Sequence, residues 1–321
     1  MHSVISALIT VFGIMLLGLI TERRRALAPT MALCLNQFVY WISLPALIFN
    51  QMCAISSAEN AVAYIWGTLA ASILCYILAV LFFSRFGKKL DLEGTIRALS
   101  AVFPNAAFFG LPFIIMTFPG SETAVTAAML GALLYTVVLL IADASLDILH
   151  TEKASRKGIA RLLLGELVHN PMIIGAVLGL MVSFSGTNPP ASILHIADML
   201  GSTAAPCALF GMGMVLSAQI SGSSGTWKNF SIRNVGIISL GKLLLQPVLS
   251  FLVLWAFGCP KIMIAVGTAI SAMPTGSIVY ILGERYQTCT TEASMTVIIT
   301  TTLSLLSLPL VMYLLELAGM M

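Results

Sequence analysis

Ten stretches of about 20 mostly apolar residues, separated by short polar breaks, run through this sequence. Each has the length that an α-helix needs to cross the hydrocarbon core of a bilayer. Only helices and closed barrels satisfy their backbone polar groups in lipid, and a barrel would show short segments of alternating polarity. We therefore predict an all-α membrane protein. The predicted spans are 4–20, 31–52, 61–83, 97–118, 123–142, 165–184, 191–217, 232–257, 262–282 and 293–316.

The scarcity of charge excludes several classes of protein. Charged residues make up 9% of the 321 residues, whereas a soluble globular domain carries about 25%. So few charges cannot cover a water-soluble surface of this size. A nucleic-acid binder, a disordered chain and a soluble multidomain enzyme are therefore excluded. The formal net charge of +3 is too small to imply an acidic macromolecular partner.

Lysine and arginine gather on one side of the predicted membrane. Most of them follow odd-numbered spans, whereas Lys261 lies on the opposite side and Lys242 lies inside span 8. Because cytoplasmic loops are rich in Lys and Arg, we expect a multi-pass protein of the cell (inner) membrane with both termini outside. The residues after odd-numbered spans are Arg23, Arg24, Arg25, Arg85, Lys88, Lys89, Arg97, Lys153, Arg156, Lys157, Arg161, Lys228, Arg233 and Arg285.

This orientation predicts the outcome of a labelling experiment. A single cysteine placed at Ser155, in a background without the six native cysteines, should resist a membrane-impermeant thiol reagent in intact cells. The same cysteine should react once the membrane is permeabilised. Labelling in intact cells would contradict the whole predicted topology.

Short matches between the two halves indicate an internal repeat. Leu17–Leu19 recurs as Leu178–Leu180, at a shift of 161 residues, and Pro45–Phe49 recurs in part as Pro206–Phe210 at the same shift. A constant shift across two spans is stronger support than either match alone. Further along the chain, proline 104 matches proline 274 at a shift of 170.

Five spans in each half is an odd number, so the two halves must lie in opposite orientations. We predict a first five-helix repeat over 1–149, a cytoplasmic linker over 150–161 and a second, inverted repeat over 162–321. Inverted repeats are typical of secondary transporters, whose sites lie near the midplane where the repeats meet.

Spans 4 and 9 are interrupted by proline and glycine at corresponding positions, Phe103–Pro112 and Met273–Ser277. Proline lacks an N–H and clashes with the preceding turn, and unwound backbone at membrane depth persists only inside protein or beside a cavity. We predict helix breaks around Pro104–Asn105 and Pro274–Gly276, close together near the midplane. The alternative is an ordinary proline kink in each helix.

The same residues carry a family resemblance. The run Pro104–Pro112 resembles the P-N-x-x-x-x-G-x-P motif of the auxin efflux carrier family, which includes plant auxin exporters and bacterial malonate and malate permeases. The similarity extends in order over nearly the whole chain. Its other parts are Asn36–Val39 with Pro45 and Phe49, Asn170-Pro171, and Pro274–Gly276 followed by Glu284–Tyr286.

The resemblance implies ten transmembrane helices in two inverted five-helix repeats, with broken crossing helices 4 and 9. It implies elevator-type transport of a small organic anion, a mono- or dicarboxylate such as malonate or malate. Coupling to H⁺ or Na⁺ and assembly as a homodimer stay open. Thr275 stands where plant members tend to carry glutamine, which argues against auxin as the substrate.

The candidate substrate-binding residues lie mainly at the two breaks. By the resemblance, Asn105 belongs to the substrate site; its amide can bind a carboxylate or cap the following half-helix. Thr275 and Ser277 supply hydroxyls, which can alternatively bond to carbonyls of their own helix. The full set is Pro104, Asn105, Gly110, Lys242, Pro274, Thr275, Gly276 and Ser277.

Lys242 lies deep within span 8, about 13 Å along the helix axis at 1.5 Å per residue. An ionisable group at that depth faces the protein interior and is a functional candidate. Three roles stay open: a partner for a substrate carboxylate, a replacement for a coupling cation, or a brace held by a buried polar partner.

No catalytic or metal-ligating constellation stands out. The six cysteines are scattered without a CxxC pair, and H-E-x-x-H is absent. We therefore expect no metal, no cofactor and no enzymatic activity. The partners that we expect are a small carboxylate and the lipid bilayer. A membrane receptor on the same scaffold, which binds without transporting, is the competing hypothesis.

Overall fold

The computed structural model describes residues 2–28, 30–53, 59–84, 91–151, 168–185, 189–222 and 231–321. Within these ranges the chain is helical and forms no strand. The helices are α1 His2–Arg23, α2 Met31–Cys53, α3 Glu59–Phe83, α4 Leu92–Val102, α5 Ala106–Thr117, α6 Glu122–Thr151, α7 Pro171–Ser185, α8 Ala191–Ser202, α9 Ala204–Gly222, α10 Ile232–Ala256, α11 Lys261–Ser271, α12 Ile278–Arg285 and α13 Thr290–Leu317. The linker predicted over 150–161 lies almost entirely outside the described residues.

In the described part of the chain, seven helical segments are long and apolar enough to cross a membrane. Three shorter apolar helices, α5, α7 and α11, fall within the predicted spans 4, 6 and 9. Spans 4 and 9 are short because each is broken, and the helix described in span 6 begins only at Pro171. An all-α membrane protein is thus confirmed, whereas the count of ten spans stays a prediction.

Large apolar side chains point outward from the protein, as expected for a surface in contact with lipid. Ile9, Phe184 and Leu306 are each at least 70% exposed. A water-soluble protein would not carry such residues on so many of its helix faces. The outward surface and the buried core are therefore both apolar, and the buried polar groups distinguish particular helix faces.

The helices divide into two groups. A first bundle consists of α1, α2, α7, α8 and α9, which pack mainly on one another. A second bundle consists of α3, α4, α6 and α10 to α13. Helix α5 lies between them, because it packs on α1 and α9 on one side and on α6 and α11 on the other.

Glycines bring two pairs of helices in the first bundle into backbone contact. A Cβ added to Gly18 of α1 would lie 2.1 Å from the carbonyl oxygen of Phe210 in α9. One added to Gly179 of α7 would lie 2.6 Å from the carbonyl oxygen of Phe49 in α2. Small residues permit such close approach in membranes. Both residues of the first contact are related to those of the second by the shift of 161, so the two helix pairs have equivalent packing.

A methyl group at Gly18 is expected to disrupt this packing. The Gly18→Ala variant should lose about 1–3 kcal/mol of stability, because backbone must move to make room. Gly13 lies on the same helix with nothing within 4 Å of an added Cβ, so Gly13→Ala is the matched control. Thermal unfolding of the purified protein in detergent compares the two. Equal melting temperatures for both variants would show that the close approach does not limit stability.

Candidate functional site

Two of the described helical spans, 4 and 9, are interrupted, and the two interruptions are in direct contact. We call this contact the crossing. Between α4 and α5 the backbone is extended at Phe103, and between α11 and α12 it leaves the helical path around Pro274. The Asn105 N–H donates to the Pro274 carbonyl at 2.7 Å, and the Gly276 N–H donates to the Phe103 carbonyl at 3.0 Å. These bonds flank an antiparallel bridge. The predicted breaks and their proximity are confirmed; their depth in the membrane stays a prediction.

Two glycines of the predicted site allow the broken segments to come this close. A Cβ at Gly276 would lie 2.8 Å from the Phe103 ring, and one at Gly110 would lie 2.8 Å from the side chain of Ile270. Both glycines are buried. A larger residue at either position would therefore come too close to the side chain that the glycine now contacts.

Asn105 lies at the boundary between the two bundles. Its side chain is 7% exposed and makes no cap bond to α5; its backbone carbonyl instead accepts from the Gly110 N–H at 2.9 Å. The side-chain Nδ2 lies 2.9 Å from the sulfur of Met212 in α9. Because a thioether is a weak acceptor, this contact replaces little of the hydration that the amide loses on burial. The alternative of a side-chain cap does not hold here.

Thr275 bonds across the crossing. Its hydroxyl donates to the Ser100 carbonyl of α4 at 2.8 Å, and its backbone N–H donates to the Thr300 hydroxyl of α13 at 3.1 Å. Thr275 is completely buried. The hydroxyl therefore ties the two broken segments together and does not bond back to its own helix. Ser277, half-buried at the start of α12, makes no side-chain cap bond.

Lys242 is buried, and both of its hydrogen-bond partners are neutral oxygens. Its ammonium donates at 2.5 Å to the Ser271 carbonyl, at the end of α11, and at 2.5 Å to the Gln246 side-chain oxygen. Gln246 in turn donates to the Val102 carbonyl, at the end of α4, at 2.7 Å. A buried polar partner for Lys242, one of the three open roles, is thus present. No contact joins Lys242 to Asn105.

A family profile described as "Membrane transport protein" matches residues 3–312. The chain belongs to the auxin efflux carrier family. The resemblance seen in the motif around Pro104 is thereby confirmed over nearly the whole chain, and the protein is a membrane transport protein by family.

The chain is also similar to a named relative. The chain is 26% identical over 309 residues to a protein of Rhizobium meliloti (strain 1021) named "Putative malonate transporter". The alignment covers 95% of this chain and 93% of that protein. The two proteins therefore match over almost their full lengths.

Sequence reasoning missed several residues that complete the polar groups at the crossing of this carrier. These are Ser100, Tyr135, Met212, Gln246 and Thr300. For Gln246 a signal exists, because it follows Lys242 by four residues and must share its helix face. Thr300 is less visible, since it is one of many hydroxyl residues in α13.

The far end of α12 is fixed to α6 by a polar cluster outside the apolar region. The Tyr286 hydroxyl donates to Asp143 at 2.9 Å and to Asp147 at 2.5 Å, and Arg285 lies 3.4 Å from Asp143. Burial and the hydrogen bonds to the two carboxylates raise the pKa of Tyr286. The phenol therefore stays protonated and keeps donating, so α12 is anchored at both of its ends.

Among the described residues, no group of His, Cys, Asp and Glu has the arrangement of a metal site.

Proposed function

We propose that this protein is a secondary transporter that carries a small organic anion, a mono- or dicarboxylate such as malonate or malate, across the membrane. The observation that carries the proposal is the Asn105 amide, which lies beside two touching helix breaks and against the opposite bundle. The name of the relative from Rhizobium meliloti supports a dicarboxylate.

The electrostatics of the crossing favour an anion. Helices α5 and α12 both begin at the breaks, and the first N–H groups of a helix have no acceptor within it. Each helix N-terminus carries about half a positive charge, and carboxylates bind readily there. Asn105 adds side-chain donors at the start of α5. We therefore place a carboxylate beside Asn105, with Thr275 and Ser277 fixing the second break.

The shape of the predicted site comes from its remaining residues. Pro104 and Pro274 interrupt the two helices, and Gly110 and Gly276 let the interrupted segments touch. Lys242 contributes its positive charge from behind the crossing, at the C-terminal end of α11. In this proposal Asn105 contacts the substrate, and the other residues of the set hold the backbone that presents it.

The division into two bundles supports an elevator movement. Asn105 and its break belong with the second bundle, and their contacts to the first bundle are apolar or weak. Met212 faces the amide, and Phe12 of α1 packs edge-on against Phe109 of α5 with ring centroids 5.5 Å apart. A second bundle that slides along such a surface breaks no strong hydrogen bond there. The substrate would move with it from one side of the membrane to the other.

The arrangement of the bundles supports ten helices in two inverted repeats. Helices α1 and α2 supply the first bundle from one half of the chain, and α7 to α9 supply it from the other. The contact of Gly18 with Phe210 and that of Gly179 with Phe49 are equivalent under the shift of 161. An inverted repeat with both termini outside the inner membrane accounts for this pairing and for the distribution of lysine and arginine.

Uptake into proteoliposomes tests the proposal. Radiolabelled malonate, malate and monocarboxylates are supplied while the membrane potential and the pH gradient are varied independently. We expect saturable uptake of at least one dicarboxylate, well above that of empty liposomes. Binding of a carboxylate, seen as a thermal shift, without any flux would overturn transport and favour the competing receptor hypothesis.

A further inference from the structure

The C-terminal ends of two broken helices lie close together at the crossing. Neither helix carries a basic residue that would balance the negative charge of its end. Helix α4 ends at Val102 and α11 ends at Ser271, and neither has a basic residue in its last turn. The last carbonyls of a helix lack partners within it, and together they carry about half a negative charge. Two such ends buried side by side need a cation or several donors.

Helix α10 supplies a cation and a further hydrogen-bond donor from one face. The Lys242 ammonium donates to the Ser271 carbonyl, and Gln246 links the ammonium to the Val102 carbonyl. Lys242 has no exposed surface and Gln246 has 2%. The result is a continuous chain of hydrogen bonds from the end of one half-helix to the end of the other. Tyr135 of α6 closes it on the far side, 3.1 Å from the Gln246 amide nitrogen.

The backbone of α10 is irregular where it carries Lys242 and Gln246. Lys242 lies in a π-helical turn, Gly241–Leu245, and Pro247 follows directly after Gln246. Proline cannot donate to the carbonyl four residues back, and π-turns are frequent at functional sites. The turn keeps Lys242 and Gln246 together on the face toward the two half-helix ends.

The ammonium has the surroundings of a coordinated cation. Among the described residues, no carboxylate forms an ion pair with Lys242. Tyr135 is linked to the ammonium through Gln246. A carbonyl oxygen and an amide oxygen are the ligands that hard metal cations take in proteins. A buried ammonium with such partners replaces the hydration that it has lost.

We propose that Lys242 is a built-in cation that holds the two half-helix C-termini together, at a place where a dissociable cation would otherwise be needed. It is a positioning residue: it fixes the backbone from which Asn105 and the N-termini of α5 and α12 face the substrate, and it does not touch the substrate. The inference rests on the proposed transport function. It implies that wild-type transport does not require Na⁺ at the crossing.

Chemical rescue tests the idea. The Lys242→Ala variant lacks the ammonium and leaves a space that ethylammonium or Na⁺ can enter. We expect at least about tenfold slower dicarboxylate uptake, as for the loss of hydrogen bonds to a charged group, and a several-fold recovery with millimolar ethylammonium or Na⁺. The matched control, Lys261→Ala, removes an exposed lysine at the start of α11. It should keep wild-type uptake and respond to neither cation. Wild-type uptake should be equal in sodium and in N-methylglucamine buffers.

A thermal measurement separates this inference from the proposed function. In detergent, ethylammonium should raise the melting temperature of Lys242→Ala but not that of the wild type, whether or not any flux is found. Absence of carboxylate uptake by the wild type would overturn the transport proposal alone. Normal uptake by Lys242→Ala, strict Na⁺ dependence of the wild type, or a variant that neither cation stabilises would each overturn the built-in cation. Should Lys242→Ala fail to fold, Lys242→Met, which keeps the length of the side chain without its charge, replaces it, and wild-type uptake by that variant would overturn the built-in cation.

Discussion

Asn105→Leu is expected to weaken the apparent affinity for a dicarboxylate by about 10- to 150-fold, the range for losing hydrogen bonds to a charged group. The fold should survive, because the structural bonds of this residue come from its backbone: its N–H donates to Pro274 and its carbonyl accepts from Gly110. Leucine has the same number and branching of side-chain heavy atoms and can pack against Met212. Uptake as a function of substrate concentration in proteoliposomes measures the effect, and the melting temperature in detergent reports on folding.

Asn105→Asp provides the complementary test at the same position. The aspartate keeps the shape of asparagine but places a negative charge where the substrate carboxylate binds, so like charges repel. Uptake should fall further than in Asn105→Leu. If both variants transport with wild-type affinity, the anion is held elsewhere, and the crossing is only a structural hinge.

Gln246→Leu is expected to be destabilising by about 1.5–3 kcal/mol, because it removes a hydrogen bond to a buried charged group. Three groups lose a partner at once: the Lys242 ammonium, the Val102 carbonyl and the Tyr135 hydroxyl. The melting temperature in detergent should fall clearly below that of the wild type. Transport should fall as well, since the ends of α4 and α11 are no longer joined.

The double variant Lys242→Met/Gln246→Leu distinguishes a charge effect from a packing effect. Methionine removes the ammonium that leucine would leave poorly paired, so the double variant should melt at a higher temperature than Gln246→Leu alone. Residues in one hydrogen-bonded network show such non-additive energies. Its transport should stay low because the cation is absent. A double variant as unstable as the sum of the two single changes would show that the two residues act independently.

The sequence is sufficient to predict apolar helices that can cross a membrane and the two breaks, because both depend on local properties. Apolar length predicts a spanning helix, and a proline with a neighbouring glycine predicts where it opens. The partners of the polar side chains depend instead on contacts between distant parts of the chain. Thr275 reaches the Ser100 carbonyl, 175 residues away, and nothing in the local pattern of span 9 indicates that target.

Lys242 shows the same limit. Its depth in span 8 indicates that it faces the interior, but not that it faces the end of α11 rather than a substrate. That choice depends on how α10 packs and on the π-helical turn, which shifts the register of every later residue in the helix. Spans 4 and 9 also show why the apolar pattern overestimates helix length, since each stretch continues through a break that only its prolines indicate.

The two breaks are joined by main-chain hydrogen bonds, and this has a consequence for how such carriers diversify. The bonds from Asn105 to Pro274 and from Gly276 to Phe103 use only backbone atoms, so they do not depend on the identity of the side chain at position 105. Mutations at that position can accumulate while the junction persists. New substrate specificities can therefore arise by single exchanges at the junction without a passage through unfolded ancestors.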